Sequence, residues 1–437
     1  MSSLIQANAC RIPLSDESVQ MVVTSPPYWG LRKYSGEQES VWDGRKDCEH
    51  EWIISERAGI SGIKSAKVQV KGEANFQIVT SSKNSTCFLC GAWRGAFGLE
   101  PTVEMYVQHT IEILREIRRV LRKDGVVFWN IGDSYAAGCV SGKQGKTSTS
   151  GINKGQGEAT KLPPRKPTDN LKPKDLCLIP DRVRLAVQAD GWWVRSNIIW
   201  VKPNPMPESI IDRPTDSYED ILMLTKSARY FWDKDAVAEL SITRDTRKPY
   251  APGQVDVRGD GHDRGGGSET ERNGSTRNLR NVWLFPTQPY RGAHFAVFPE
   301  ELPRRCIKAA TSEYGACEKC GAPWERIVSK KRVLRGDNFG KRDVEGTFDR
   351  GQQGTAYLQI MNTQTIGWQP TCECNETKVR PCVVLDPFGG SGTTGRVATE
   401  LGRRAILLDI AYTSGAYLEL AQKRNEDVQT TLSLEDL

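Results

Sequence analysis

Three short stretches of the sequence carry residues whose types and spacing suit chemistry. The first is Thr24-Ser25-Pro26-Pro27-Tyr28, which follows the apolar run Met21-Val22-Val23. Two prolines cannot continue a hydrogen-bonded ladder, so the chain has to leave a sheet there. Such a loop can aim one hydroxyl, that of Ser25, and one carbonyl, that of Pro26, at a planar amino group, with Tyr28 as a stacking face. Alone, such a loop is more often a cis-proline or structural turn. The second stretch, Pro387-Phe388-Gly389-Gly390-Ser391-Gly392-Thr393-Thr394-Gly395, follows the strand-like Cys382-Val383-Val384-Leu385-Asp386. Glycines let backbone approach a ligand where side chains would collide. Asp409 ends the next apolar run, where an acid is placed to hold ribose hydroxyls in a doubly wound sheet. The glycine spacing is neither that of a dinucleotide fingerprint nor that of a Walker loop. A tight strand-to-helix turn without a ligand is the plain alternative.

The third stretch is a pattern that occurs twice. Cys48-Glu49-His50 is followed by Cys87-Phe88-Leu89-Cys90, and Cys317-Glu318-Lys319-Cys320 by Cys372-Glu373-Cys374. Each set offers four ligands in two pairs: Cys48, His50, Cys87 and Cys90, then Cys317, Cys320, Cys372 and Cys374. That number and softness suit tetrahedral zinc in a closed structural site. The spacers, about 36 and about 51 residues, exceed those of ordinary fingers. Trp52, Trp93 and Trp324 stand beside the clusters as small cores. Free buried cysteines or a redox pair are the other readings.

These residues need elements to hold them. Apolar residues at Val103, Tyr106, Val107, Ile111, Leu114, Ile117 and Leu121 repeat at helical spacing and predict one long amphipathic helix. Asp124-Gly125 stops it, and Val126-Val127-Phe128-Trp129 starts a strand. Trp193–Val201 and Tyr218–Thr225 read as further strands. From Val383 the order strand, glycine turn, helix, strand is a βαβ unit.

The chain has 437 residues, with 38% apolar and 26% charged, a net charge of +6 and 12 cysteines. The length suits two to three domains. No run approaches the roughly 20 apolar residues of a membrane span. The N-terminus lacks a basic stretch followed by an apolar run, so a secretory signal is not expected and metal is preferred to disulfides for the cysteines. The mild positive charge is compatible with nucleic acid and proves nothing alone. It concentrates in two polar stretches. The first, about 138–175, holds Lys143, Lys146, Lys154, Lys161, Arg165, Lys166, Lys172 and Lys174, and predicts a mobile phosphate-tracking loop. The second, about 241–282, holds Arg258, Arg264, Arg272, Arg277 and Arg280, able to contact guanine edges or phosphates.

Taken together in this order, the Ser-Pro-Pro-Tyr loop and Phe388-Gly389-Gly390-Ser391-Gly392 resemble the beta class of S-adenosylmethionine-dependent DNA amino-methyltransferases. Asn197–Lys202, Tyr218–Phe231 and His294–Pro299 resemble further core segments of that family. The resemblance implies an α/β fold: a doubly wound, Rossmann-like sheet, circularly permuted, with two inserted zinc modules and a small recognition region. It implies that Ser25, Pro26, Pro27 and Tyr28 are catalytic. It implies that Asn8, His294, Phe298, Asp386, Phe388, Gly389, Gly390, Gly392, Thr393 and Asp409 bind the cofactor. Asn8 departs from the family, which often has an acid there. Ser at position 25 goes, in that family, with cytosine-N4 methylation; adenine-N6 is the runner-up, and an RNA or protein-amide substrate ranks below both. A zinc-dependent DNA-binding protein with an inactive core is the competing non-enzymatic reading, and the intact loops argue against it.

The expected divisions are a catalytic-loop part at 1–47, a zinc module at 48–100, core at 101–240, a recognition region at 241–282, core at 283–311, a second zinc module at 312–380 and a cofactor-binding part at 381–437. The expected partners are S-adenosylmethionine, two structural zinc ions and double-stranded DNA. A restriction endonuclease is a candidate partner, the setting is cytoplasmic without a membrane, and the chain is a monomer or a homodimer.

Overall fold

The computed structural model describes residues 2–30, 38–55, 84–136, 171–242, 271–288, 298–335, 358–412 and 418–426. Its centre is an eight-stranded sheet. In chain order the strands are β1 (Ser2–Gln6), β2 (Val19–Thr24), β3 (Leu121–Ile131), β4 (Trp193–Val201), β5 (Tyr218–Thr225), β6 (Val282–Leu284), β7 (Val383–Asp386) and β8 (Arg404–Asp409). In space they run β1-β8-β7-β2-β3-β5-β4-β6. The pairings from β1 to β3 are all parallel. β5 is antiparallel to both its neighbours, and β6 lies parallel to β4.

Alternation along these strands splits the core in two. Val22, Val127, Trp129, Leu222, Leu224, Leu385 and Ile406 face one side. Met21, Val23, Phe128, Ile221, Met223, Val384 and Leu407 face the other. Strands buried on both faces read as continuous apolar runs, as Met21-Val22-Val23 of β2 does. Helices α1 (Val103–Val120) and α2 (Ile179–Ala189) cover the first face, and α3 (Glu301–Ala310) and α4 (Thr393–Glu400) the second.

Helix α1 starts where Thr102 Oγ1 accepts the amide of Met105 at 3.2 Å, a side-chain cap that satisfies one of the free N–H groups. Its buried face contains the expected Val103, Tyr106, Ile111, Leu114 and Ile117, and also His109, which periodicity of apolar residues cannot reveal. The strands expected at Trp193–Val201 and Tyr218–Thr225 have those bounds. Ser2–Gln6 was not expected as a strand: it is short, and it becomes one by pairing with β8, some 400 residues away.

Besides the antiparallel pair Glu239–Ile242 and Glu271–Arg277, two smaller units of described residues attach to this core. Glu39–Trp42, Trp52–Ser55, Asn84–Cys87 and Trp93–Ala96 form a four-stranded antiparallel sheet. It begins nine residues before the expected boundary at 48, because Glu39–Trp42 pairs with Trp93–Ala96. The other unit is a hairpin of Trp324–Arg335 with Leu358–Pro370, beside the short pair Ala316–Cys317 and Val379–Arg380. Most of the first polar stretch, at 137–170, and residues 243–270 of the second lie outside the described residues. No helix among the described residues is long and apolar enough to cross a membrane.

Ile117 is fully buried in the middle of the α1 face. Ile117→Ala is expected to cost about 2–5 kcal/mol through lost burial and the cavity left behind, read as a lowered urea midpoint.

Candidate active site at the strand ends

The parallel strands β1, β8, β7, β2 and β3 end on one edge of the sheet, and β4 ends there too. β5, running the other way, begins there. The two loops noted in the sequence are therefore brought together, although 362 residues separate Thr24 from Asp386. The ladder places Leu385 opposite Val22, so the chain leaves both strands at nearly the same level.

Asp386 joins the loops. One carboxylate oxygen accepts the Thr24 hydroxyl at 2.6 Å and the Phe388 amide at 3.1 Å; the other accepts the Thr394 hydroxyl at 2.6 Å. The side chain is buried, and it does not line the pocket described below. Expected as a cofactor ligand, it is placed as a joint beneath the cofactor loop. Burial pushes its carboxyl up to about 6, against the opposing pull of the Thr24 and Thr394 hydroxyls.

The glycine turn is tight. Gly389 N–H donates to the carbonyl of Leu408 at 2.7 Å. A Cβ on Gly389 would lie 2.6 Å from the Tyr412 hydroxyl and 2.8 Å from Leu407 Cβ, so only glycine fits. Gly392 has φ +82° and caps α4; a Cβ there would press on Ala421 and Asn425 of the 418–426 helix, not on the pocket. The carboxylate of Asp409 accepts the amides of Gly390 at 3.1 Å and Ala411 at 2.9 Å. Burial raises its carboxyl above the ordinary range.

Above this turn lies a pocket. Asn8, Ser25, Pro27, Phe298, Phe388, Gly389, Gly390, Thr393 and Asp409 line it, so most of the expected cofactor residues and half of the proline loop share one cavity. His294 lies outside the described residues. The amide of Asn8 is already engaged: it donates to Ser40 Oγ at 3.0 Å, and its oxygen accepts Cys10 N–H at 2.9 Å. Sequence reasoning missed the opposite wall, made by Gln38, Ser40, Trp42 and Phe97 from the four-stranded unit. Phe97 stacks on Phe388 with ring centres 5.8 Å apart. An aromatic, half-polar cleft with an acid at a strand end and a glycine turn beneath it suits a nucleoside joined to a charged tail.

Beside the pocket, the proline loop enters a polar cluster. Ser25 Oγ donates to Tyr28 Oη at 3.0 Å, and Tyr28 Oη donates to Glu219 Oε2 at 2.6 Å. Asn130 Nδ2 donates to Tyr28 Oη and to Glu219 Oε2, both at 2.8 Å. Lys202 Nζ pairs with the other oxygen of Glu219 at 2.5 Å. Asn130 comes from the end of β3, Lys202 follows β4, and Glu219 opens β5, so three strands converge on the loop. None of the three was given a role from the sequence, although Lys202 and Glu219 lie in segments that resemble the family core, because each is a polar residue in or beside an apolar run. One face of the Tyr28 ring packs at Gly132, where a Cβ would lie 2.8 Å from the ring. The carbonyl of Pro27 accepts the Tyr106 hydroxyl at 3.0 Å.

Of the arginines expected to meet DNA, Arg277 and Arg280 both bind Glu239, at 3.1 and 2.8 Å. Arg258 and Arg264 lie outside the described residues. The cysteine sets converge as expected: in each, four ligand atoms lie within 4.8 Å of one another.

A parallel-led sheet with a nucleoside-type pocket over a glycine turn, and a proline loop opening into it, defines a transferase of the methyltransferase class. The profile of the DNA methylase family, whose members act at N6 or N4 amino groups, matches residues 19–317 and 381–423, and the chain belongs to that family. It is 31% identical, over 94% of its length and 85% of the relative's, to the Type II methyltransferase M.SmaI of Serratia marcescens. It is 33% identical to M.Cfr9I of Citrobacter freundii over 68% of each chain. A cytosine-N4-specific PvuII DNA methyltransferase structure aligns with a TM-score of 0.45 at 13% identity, over 98% of this chain and 90% of that one. The reaction of this chain is S-adenosylmethionine-dependent methylation of an amino group in DNA.

The shifted carboxyl of Asp386 gives a test of its burial. An unfolded Asp titrates near 3.9. Between that value and about 6 the folded protein binds a proton that the unfolded chain releases, so stability falls as pH rises through this window. Asp386→Asn cannot titrate. Relative to wild type it is expected to gain up to about 3 kcal/mol between pH 4 and pH 7, measured by urea denaturation of both proteins at the two pH values.

Proposed function

We propose that the chain methylates the N4 amino group of a cytosine flipped out of double-stranded DNA. The observation that carries this reading is the hydrogen-bonded line from Ser25 through Tyr28 to Glu219, opening beside the cofactor pocket. The pocket fits the methyl donor: Asp409 would hold ribose hydroxyls, Phe388 and Phe97 the adenine region, and the amides of the glycine turn the polar tail. When bound, S-adenosylmethionine supplies a methyl group on a sulfonium, ready for in-line displacement.

The chain has to supply alignment and a route for one proton. A base amino group is a poor nucleophile because its lone pair is delocalised into the ring. Hydrogen bonds from that amino group to the Pro26 carbonyl and to Ser25 Oγ favour tetrahedral nitrogen and restore the lone pair. Fixing the geometry is worth about 7–11 kcal/mol when near ideal. Once methylated, the nitrogen must lose a proton. Ser25 Oγ accepts it while passing its own to Tyr28 Oη, which passes its own to Glu219. Lys202 balances the Glu219 carboxylate, and Asn130 holds the tyrosine hydroxyl and the carboxylate in register. The target atom is paired in a duplex, so flipping costs a few kcal/mol. The face of the Tyr28 ring turned away from Gly132 is the stacking face for the flipped base.

Serine at position 25, where an acid is the family's alternative, supports cytosine over adenine. The order of the two loops supports a circular permutation of the sheet, and the four-cysteine and cysteine-histidine sets support structural zinc. The Type II names of the relatives support a restriction endonuclease of matching specificity as a functional partner, in the cytoplasm, with residues 241–282 serving recognition.

Nucleoside mass spectrometry of mixed-sequence duplex DNA, incubated with the protein and S-adenosylmethionine, is expected to show N4-methylcytosine. N6-methyladenine in its place overturns the assignment of the base. Tyr28→Phe keeps the ring and removes the relay. It is expected to lower kcat by about 100-fold, the usual scale for general acid–base groups, with unchanged binding of S-adenosylhomocysteine. Wild-type kcat in this variant would remove the relay from the mechanism.

A further inference from the structure

The two cysteine sets are alike in sequence and lie at opposite ends of the sheet strands. Cys317, Cys320, Cys372 and Cys374 sit at the end remote from the pocket. There the carbonyl of Gly321 accepts Gln20 Nε2 at 2.9 Å, and that of Cys320 accepts the Arg122 guanidinium. Gln20 opens β2 and Arg122 opens β3, and Gln20 Oε1 accepts the amide of Val383 at the start of β7. This set fastens strand beginnings.

Cys48, His50, Cys87 and Cys90 are placed differently. Cys48 and His50 lie between the strands Glu39–Trp42 and Trp52–Ser55. Cys87 and Cys90 form the turn between Asn84–Cys87 and Trp93–Ala96. The set therefore closes the four-stranded unit whose residues Gln38, Ser40, Trp42 and Phe97 make one wall of the cofactor pocket. Its geometry fits an ion. A tetrahedral site with Zn–S bonds of about 2.3 Å has a sulfur–sulfur edge of about 3.8 Å. The Cys48 and Cys87 sulfurs are 3.8 Å apart, and Cys90 Sγ lies 3.4 Å from His50 Nδ1.

Among the described residues, the large apolar side chains buried in the unit are Trp42, Trp93 and Phe97, and they belong to the core that it shares with α1; a sheet with so small an apolar interior of its own gains from a metal clip. From this unit, contacts run directly to the site. Trp42 stacks on buried His109 of α1 at 4.3 Å, and His109 bridges Asp43 at 3.0 Å and Glu100 at 3.1 Å. Gly98, just past the last strand, accepts the amide of Gly30 at 2.8 Å, and a Cβ on it would lie 3.0 Å from Pro27. The same segment thus touches the catalytic loop and, through Phe97, the cofactor loop.

We propose that Cys48, His50, Cys87 and Cys90 bind a zinc ion that is required for cofactor binding, because it fixes the pocket wall formed by Gln38, Ser40, Trp42 and Phe97, whereas the second site stabilises the sheet without affecting cofactor affinity. This rests on the reading of that pocket as the S-adenosylmethionine site. The dependence is reciprocal: a ligand that binds better with the ion in place must hold the ion more tightly in return.

The test uses the full-length protein. Wild type is expected to contain two zinc ions per chain by elemental analysis and to bind S-adenosylhomocysteine by calorimetry. Cys48→Ser with Cys90→Ser is expected to retain one zinc and lose at least tenfold in that affinity. Cys317→Ser with Cys374→Ser is expected to retain one zinc, melt earlier and bind within twofold of wild type. In wild type, saturating S-adenosylhomocysteine should slow chelator removal of one zinc several-fold and leave the other unchanged, a readout that needs no variant to fold. Equal release of both ions with and without the ligand overturns the coupling, as does near-normal affinity in the one-zinc Cys48/Cys90 variant. Wild type without zinc overturns the metal premise, and zinc-loaded wild type that does not bind S-adenosylhomocysteine overturns the pocket assignment; the three failures are distinct.

Discussion

The carboxylate of Asp386, buried between two threonine hydroxyls, is the joint on which the site depends. Thr24 leads into the proline loop, and Thr394 lies in the first turn of the helix that follows the glycine turn. A carboxylate held out of water is tolerated only with donors on its oxygens. It receives two hydroxyls and one amide. Both loops are set against one rigid group, so a shift of either breaks a hydrogen bond to a charge. This permits two distant stretches of chain to meet within a single cavity.

The sheet supplies the rest of the alignment. Its strands alternate between two apolar layers, so a one-residue slip of β2 against β7 would exchange both faces at once. Register is therefore fixed by burial on both sides, and the positions of Ser25 and Phe388 are fixed with it. Residues that complete the polar cluster come from the far side of β2. Asn130 lies on β3 and Lys202 just past β4, strands whose only antiparallel pairing is with β5, and β5 itself carries Glu219. The reversal of β5 places Glu219 at the start of its strand and so at the reacting edge.

Much of this was legible in the sequence, and the gaps have physical reasons. The two loops could be found because prolines and clustered glycines are conspicuous and have few structural uses. Helix α1 and the strands Trp193–Val201 and Tyr218–Thr225 could be read because burial imposes a period. Ser2–Gln6 could not, because its strand character comes from β8. Asp386 was seen as part of the site, but whether its carboxylate faces a ligand or a threonine depends on packing. The pocket wall of Trp42 and Phe97 was hidden because it belongs to a unit defined by pairing of Glu39–Trp42 with Trp93–Ala96. The cysteine sets were plain, since ligand type and spacing survive any length of intervening chain.

The order of strands also bears on how the protein is made. β2 is buried along its whole length, yet its neighbour β7 is synthesised 362 residues after the joint at Thr24. At about 5–20 residues per second, the growing chain carries that apolar strand for roughly 20–70 s with one side open. An unpaired apolar edge of this kind invites pairing with other chains. Translation is therefore a vulnerable period for this enzyme, and the stretch that carries β7 and β8, made long after β2, both fills the gap beside that strand and completes the pocket over the glycine turn.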